Sequence, residues 1–472
     1  MAESGFAAPD VPSDAIVNTC IKCGFCLPTC PTYQLTLDER SSPRGRIELI
    51  ARVLDGRLPP DDATFTAQMS ECLGCRNCEP ACPSGVRYGS LLEDARAQIA
   101  RRRAADAGVL AQRAIYDALF GDVRLLRSLA RALGAMRRTG LPAVLRASGV
   151  IDALGLGRLD RLVRGPLGSP FVPIGQSWFA TAPRKGSVAL FAGCVMSAMF
   201  GDVDRATVRV LSRSGWDVEA PAGQGCCGAL HLHAGFKDKA RELARSTIAA
   251  FDRSRADRVA VNAAGCGAAM KEYAQLLEDD PQCRDRARTF AAKVCDATEL
   301  VAGSADARTE SDGRAGGAPT GSTPLRVAYQ DACHLAHAQG VRTQPRRAID
   351  LLPGVARVEF AQPDRCCGSA GIYNITHPET ADALADKTIA AVKEVGAERL
   401  VTANPGCQLQ LAAASRRAGG PPVQHIMSLL DDPSARPAED DDCAHAAFKG
   451  LAFLIGATVI VGVLIVASRR KR

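Results

Sequence analysis

Cysteine spacing carries most of the chemistry legible in this chain. Cys20, Cys23, Cys26 and Cys30 stand in CIKCGFCLPTCP, a C-x2-C-x2-C-x3-C-P run, and Cys72, Cys75, Cys78 and Cys82 repeat it in CLGCRNCEPACP. Three thiolates this close wrap one face of an iron-sulfur cubane, and a distant fourth closes it. In a two-cluster arrangement the fourth cysteine of each run serves the other cluster. The spacing therefore assigns Cys20, Cys23, Cys26 and Cys82 to one [4Fe-4S] cluster and Cys72, Cys75, Cys78 and Cys30 to the other. Zinc held by four cysteines uses C-x2-C pairs set well apart and needs neither the third close cysteine nor the following Pro31 and Pro83.

A second cysteine set has a different grammar. GQGCCGALH holds Cys226 and Cys227, and RCCGSAG holds Cys366 and Cys367. With Cys194 and Cys266 the first pair forms a set of four that recurs 139 to 141 residues later as Cys333, Cys366, Cys367 and Cys407. A near-constant offset implies duplication of one fold. Adjacent cysteines project differently, so one pair can reach two atoms of a polynuclear centre, and the following glycine allows a tight turn beside it. Four thiols per module suit a further iron-sulfur cluster, a zinc site or a redox-active thiol pair; a vicinal disulfide would be strained.

These cysteines must be positioned by regular elements. Each duplicated unit reads β-α-β-α-β: an apolar strand (VALFAGC; RVAYQDAC), a helix, a short strand leading to Cys-Cys-Gly, another helix and a third strand (RVAVNAAGC; RLVTANPGC). Such alternation predicts a parallel sheet, with Cys194, Cys266, Cys333 and Cys407 just past the carboxyl ends of strands, where open α/β sheets hold ligands. Between the two N-terminal runs, PRGRIELIARVL predicts a helix over 43–54, which favours a helical ferredoxin fold; its PRGR start reads as a helix N-terminus with solvated arginines, or as a partner contact. The fold class expected is α+β multidomain: a helical two-[4Fe-4S] ferredoxin domain, a duplicated α/β Cys-Cys-Gly domain and a C-terminal hydrophobic helix. The boundaries are 1–100 for the ferredoxin domain, 101–185 for a helical region and connector, 186–302 for the first module, 303–324 for a Gly/Ser-rich linker, 325–430 for the second module, 431–447 for an acidic linker and 448–468 for a transmembrane helix.

Composition sets the outer limits. The 472 residues are 47% hydrophobic and 23% charged, as in a globular protein. Nineteen cysteines in a large chain whose start, MAESGFAAPDVPSDAI, has no apolar signal core favour metal-binding thiols in the cytosol over disulfides. The net charge of +7 comes mostly from arginines in Ala/Leu-rich helical stretches with few aromatics nearby, which reads as solvated helix faces and not as a nucleic-acid site. Leu451 to Ala467 runs 17 residues without a charge, about 25 Å as a helix, at the short edge of a membrane span. The basic tail after it asks to be cytoplasmic, as does the thiol-rich body before it. The body's claim is the stronger, which places the chain on the cytoplasmic side of the cell (inner) membrane, anchored at its C-terminus.

Other residues carry weaker signals. His334 and His337 beside Cys333, and His231 and His233 after Cys227, offer a ligand or a proton, or pack and hydrogen-bond as histidines in loops often do. Asp331 is placed to orient His334 or cap a loop. Cys283, Cys295 and Cys443 fall outside the repeat and read as free thiols. No P-loop, strand-turn-helix GxGxxG or Ser-His-Asp pattern is present, so substrate chemistry is expected on another subunit.

Residues 15–430 resemble the iron-sulfur subunit family of glycolate oxidase, within the wider group of Cys-Cys-Gly proteins. The resemblance is carried by CxxCGFCxxxCPTY at Cys20–Tyr33, SPRGRI at Ser42–Ile47, CLGCRNCEPACPSGV at Cys72–Val86, CCGALHLHAG at Cys226–Gly235 and DACHLAHAQGVRTQPR at Asp331–Arg346. It implies an electron-transfer subunit working with FAD-containing oxidase subunits that oxidise glycolate or a similar 2-hydroxy acid; with the hydrophobic tail, the expected acceptor is of quinone type in the lipid bilayer. The alternative it carries is the iron-sulfur subunit of another Cys-Cys-Gly oxidoreductase, acting on glycerol 3-phosphate or D-lactate, or thiol chemistry like that of heterodisulfide reductase. In the heterodisulfide-reductase pattern a module ends in C-x2-C, whereas Ala263 and Asn404 occupy the first of those positions here. A five-cysteine cluster is therefore not carried over. The hydrophobic tail is a further departure from the family.

Overall fold

The computed structural model describes residues 4–164, 168–302 and 323–435. The expected membrane helix at 448–468, Cys443, and most of both proposed linkers lie outside these residues. Among the described residues no helix is long and apolar enough to cross a membrane.

The N-terminal unit is helical, as its sequence predicts. Helix Pro43–Leu54 starts where Ser42 accepts from the Gly45 N–H and proline occupies the first turn, whose N–H groups have no helical partner. Helix Ala63–Glu71 is capped by Asp62 in the same way. With helix Tyr88–Arg102 they enclose Ile50, Val53, Phe65, Met69, Leu91 and Ala95, all at 0% exposure. The cysteine loops between them turn sharply, with positive φ at Gly24 and Gly74.

From Ala107 to Val163 the chain runs as a string of helices. The arginines of helix Val123–Arg138 were expected to be solvated, and most lie off the core. Arg127 departs from this: it is buried and donates from Nε and Nη2 to Ser197 Oγ at 3.2 and 3.0 Å, tying the helix to the first module.

The two modules are parallel sheets of matching topology. The first contains β1 (Gln176–Trp178), β2 (Gly186–Phe191), β3 (Trp216–Ala220), β4 (Arg258–Val261) and β5 (Val294–Asp296) in the order β1-β3-β2-β4-β5, with β1 antiparallel at the edge. The second contains β6 (Leu325–Gln330), β7 (Val355–Val358), β8 (Arg399–Thr402) and β9 (Val423–His425) in the order β7-β6-β8-β9, all parallel. Removing β1 leaves the same order in both. The duplicated β-α-β-α-β pattern is thus present, with a fourth parallel strand per module, β5 and β9, that the sequence reading omitted. Each is three residues long, too short to carry a period-2 signal.

The modules share a core. Met196, Phe200, Val203, Ala263 and Ala264 of the first pack with Val327, Leu335, Ala403 and Leu411 of the second. The contact is also polar, with Ala264 N–H donating to Ala403 O at 3.2 Å and Arg209 paired with Asp431 at 2.5 Å.

Candidate iron-sulfur and thiol centres

The eight N-terminal cysteines line two adjoining cavities. Cys20, Cys23, Cys26, Cys78 and Cys82 line the outer one, with Gly24, Pro43 and Arg44. Cys30, Cys72, Cys75 and Cys78 line the inner one, with Arg46, Arg76 and Tyr88. Cys82 lines the outer cavity with the first run and Cys30 the inner one with the second, with Cys78 in the shared wall. Among the described residues no three His, Cys, Asp or Glu side chains are set to hold a single metal ion. Thiols ranged round a cavity in the order the two-cluster pattern requires fit a polynuclear cluster.

The cavities differ in exposure and charge. Cys23 is exposed and the neighbouring Ile21 and Phe25 are 67% and 64% exposed, whereas Cys30, Cys75 and Cys78 are buried. Arg44 at the outer cavity is paired with Glu39 at 2.6 Å and donates to Lys22 O. Arg46 corrects the expectation of solvated arginines: it is fully buried. The signal was present, because Arg46, Ile50 and Val53 fall on one helical face.

Electrostatics single out Cys72. Burial pushes its thiol up, but the nearby guanidiniums of Arg46 and Arg96, the Gly74 N–H at 3.4 Å and the Tyr88 hydroxyl at 3.6 Å together hold it below its ordinary value. Cys78 is pushed well up by burial. The hydrogen bond to Cys366, and then burial, does the same to Cys75.

Each module brings its four cysteines together at the carboxyl edge of its sheet. Cys194 follows β2 and Cys266 follows β4, the two strands flanking the point where chain order reverses; Cys333 and Cys407 follow β6 and β8 in the same way. The Cys-Cys-Gly turns enter from the loops after β3 and β7. Cys194 Sγ lies 3.5 Å from Cys226 Sγ, and Cys227 hydrogen-bonds both Cys226 and Cys266. In the second module Cys367 Sγ lies 2.8 Å from Cys407 Sγ, and Cys366 contacts Cys333 and Cys367. All eight are free thiols, buried except Cys266 and Cys333, which are half-buried. The hydrogen bond to Cys226, followed by burial, holds the Cys194 thiol well above its usual range. Neutral, clustered thiols of this kind deprotonate on binding a metal.

Gly228 and Gly368 follow the pairs with φ of 83° and 85°, the turn their sequence position required. Ala263 and Asn404, where a fifth cysteine would stand, are equivalent N-caps of the helices carrying Cys266 and Cys407. Asn404 Nδ2 donates to Cys407 Sγ at 3.6 Å, while its Oδ1 accepts from the Gly265 N–H of the other module at 3.2 Å.

A junction that the sequence did not reveal joins the ferredoxin unit to both modules. Cys75 packs with Cys366, and His334 Nε2 lies 3.0 Å from Gly74 O. Arg76 pairs with Glu79 and with Glu272 of the first module. His233 Nδ1 meets Glu93 at 3.3 Å, and its ring lies 5.1 Å from that of His334. Burial drives Glu93 up to about 7, His233 down to about 4 and His334 down to about 3. The other histidines are held by ordinary contacts: His231 by Asp117 at 3.1 Å, and His337 by Arg342 Nη2 at 2.7 Å. Asp331 does not orient His334; it forms a bidentate pair with Arg346 at 2.8 and 2.7 Å. Cys283 and Cys295 are buried free thiols, as expected.

Four segments of the chain match known families. Residues 19–86 match the 4Fe-4S dicluster domain family, 109–163 the linker region of the glycolate oxidase iron-sulfur subunit, and 188–271 and 327–412 the cysteine-rich domain. The chain is 40% identical over 414 residues to the probable glycolate oxidase iron-sulfur subunit of Bacillus subtilis, covering 85% of this chain and 89% of that one. It is 33% identical over 428 residues to the glycolate oxidase iron-sulfur subunit of Escherichia coli, covering 89% and 94%. It is also 27% identical to lactate utilization protein A of an Exiguobacterium species, over 52% of this chain and 97% of that one.

Proposed function

We propose, from the premise that the chain belongs to the family of glycolate oxidase iron-sulfur subunits, that it carries electrons from an FAD-containing partner that oxidises glycolate or a similar 2-hydroxy acid to a quinone-type acceptor. Its iron-sulfur electron-transfer role follows from the family and the dicluster domain; the partner, the acceptor and the residue assignments are our reading. Two [4Fe-4S] clusters, when bound, supply one-electron storage and transfer.

In this reading Cys20, Cys23, Cys26 and Cys82 hold the outer cluster, and Cys72, Cys75, Cys78 and Cys30 the inner one. The exposed Cys23 edge, flanked by Ile21 and Phe25, receives electrons from the flavoprotein. The inner site delivers them to the second module, whose Cys333, Cys366, Cys367 and Cys407, like Cys194, Cys226, Cys227 and Cys266 in the first, hold a further iron-sulfur or zinc centre. The hydroxy acid is oxidised on the partner. The uncharged run Leu451–Ala467 anchors the chain on the cytoplasmic face of the inner membrane, within reach of a lipid-soluble acceptor.

The observation that carries the reading is the contact between Cys75 and Cys366, which joins the inner cavity to a module thiol set. Purification with co-expressed flavoprotein subunits tests it. Glycolate should bleach the iron-sulfur absorbance of the intact complex under anaerobic conditions, and absorbance unchanged by glycolate while the flavin is reduced would refute it.

A further inference from the structure

Among the described residues Arg46 is the largest fully buried side chain, and its charge has no carboxylate partner there. Nε donates to Gln68 O at 2.7 Å, and Nη1 donates to Thr32 Oγ1 at 3.1 Å and Ser41 O at 2.6 Å. Nη2 is buried and finds no acceptor. The guanidinium lines the inner cavity with Cys30, Cys72, Cys75 and Cys78. A lone buried cation is costly unless an opposite charge answers it; no carboxylate lines the inner cavity among the described residues, so the anions it offers are thiolates bound to a cluster.

The other arginines lining the two cavities are already paired with carboxylates. Arg44 at the outer cavity is held by Glu39, and Arg76 at the inner one by Glu79 and Glu272. Arg96, near Cys72, spends its donors on the carbonyls of Met69, Cys72 and His233. Arg46 alone presents both an unanswered charge and an unused donor to a cluster site.

We propose that Arg46 is the built-in counter-charge of the inner iron-sulfur site, raising its reduction potential above that of the outer site and so setting the direction of electron flow inward. The inference rests on the cluster assignment above and deepens it. When one electron leaves the outer site and enters the inner one, Arg46 offsets the added negative charge in a region of low dielectric; no proton moves. The ion pair at Arg44 gives the outer site no comparable field, because Glu39 cancels it.

The test compares Arg46→Gln with Arg46→Lys in the full chain with clusters reconstituted, following each cluster by EPR during a redox titration. Arg46→Gln should move one of the two midpoints to a more negative value and leave the other in place, and Arg46→Lys should restore most of the shift. The double variant Arg44→Gln, Glu39→Gln, which removes that ion pair whole, should move neither. Two unmoved midpoints in an Arg46→Gln protein holding about eight irons, or equal shifts in the Lys and Gln variants, would overturn the proposal. If Arg46→Gln holds only about four irons, recovery of about eight in Arg46→Lys supports the charge, and loss in both assigns Arg46 a purely structural part. Wild-type chain that takes up no iron would instead refute the cluster assignment itself.

Discussion

The side chain of Cys75, on a loop of the ferredoxin unit, packs with that of Cys366, in the Cys-Cys-Gly turn of the second module. Leu73, Tyr373, Ala381 and Leu384 pack round the pair, and both cysteines are buried. No equivalent ferredoxin thiol touches the first module's set among the contacts of the described residues, so the two modules are unequal neighbours of the inner site. Replacing Cys366 by Ser should slow electron delivery to an external acceptor by more than about tenfold, the scale on which groups around a metal centre matter. Both ferredoxin clusters should remain reducible by glycolate in the complex. Stopped-flow absorbance reads both quantities, and an unchanged delivery rate would move the exit elsewhere.

The glycines of the two Cys-Cys-Gly turns should differ in tolerance. A Cβ at Gly368 would sit 2.6 Å from Ala381 O, whereas one at Gly228 would sit 3.0 Å from Ala240 O, both with positive φ. Gly419 also has positive φ, but a Cβ there meets nothing within 4 Å. Gly419→Ala should therefore cost about 1 kcal/mol, Gly228→Ala more, and Gly368→Ala the most. Denaturant midpoints of the three variants check the ranking.

Asp204 gives the fold a pH dependence. Burial drives its carboxyl up to about 8, against a hydrogen bond from Asn262 at 2.9 Å, and its Oδ2 is unpartnered. A raised acid is protonated in the folded chain and ionised in the unfolded one between its unfolded value of 3.8 and about 8. Its contribution is therefore complete below that window and is lost as pH rises through it. The stability of Asp204→Asn relative to wild type should grow between pH 5 and pH 8; a constant difference in urea titrations at the two values would contradict the burial argument.

Deleting residues 448–472 should move the chain from the membrane fraction to the soluble fraction without changing its iron content. The uncharged run supplies the membrane affinity in our reading, and it lies beyond the described residues that hold the cysteines. A truncated chain that still sediments with membranes would show that another surface or partner holds it there.

Much of this architecture was legible because its signals are local. Ser42 and Pro43 open a helix whose apolar face repeats at helical spacing, and the structure places that helix at Pro43–Leu54. The cysteine offsets exposed the duplication, and the strand-end positions of Cys194, Cys266, Cys333 and Cys407 followed from β/α alternation. What stayed hidden depends on long-range packing. Arg44 and Arg46 look alike in the sequence, yet one is held at the surface by Glu39 and the other is enclosed by Gln68, Ser41 and Thr32. Nothing local links Cys75 to Cys366, or His233 to Glu93 and His334. Strands β5 and β9 have three residues each and are defined by pairing with β4 and β8, not by their own pattern.

The central claim is that electrons from the hydroxy acid must pass through both ferredoxin sites of this chain. The direct measurement is glycolate-to-quinone turnover by the purified complex carrying Cys23→Ser and Cys75→Ser together. The account predicts that quinone reduction is lost while glycolate still reduces the partner's flavin. Turnover at the wild-type rate in that double variant would contradict it.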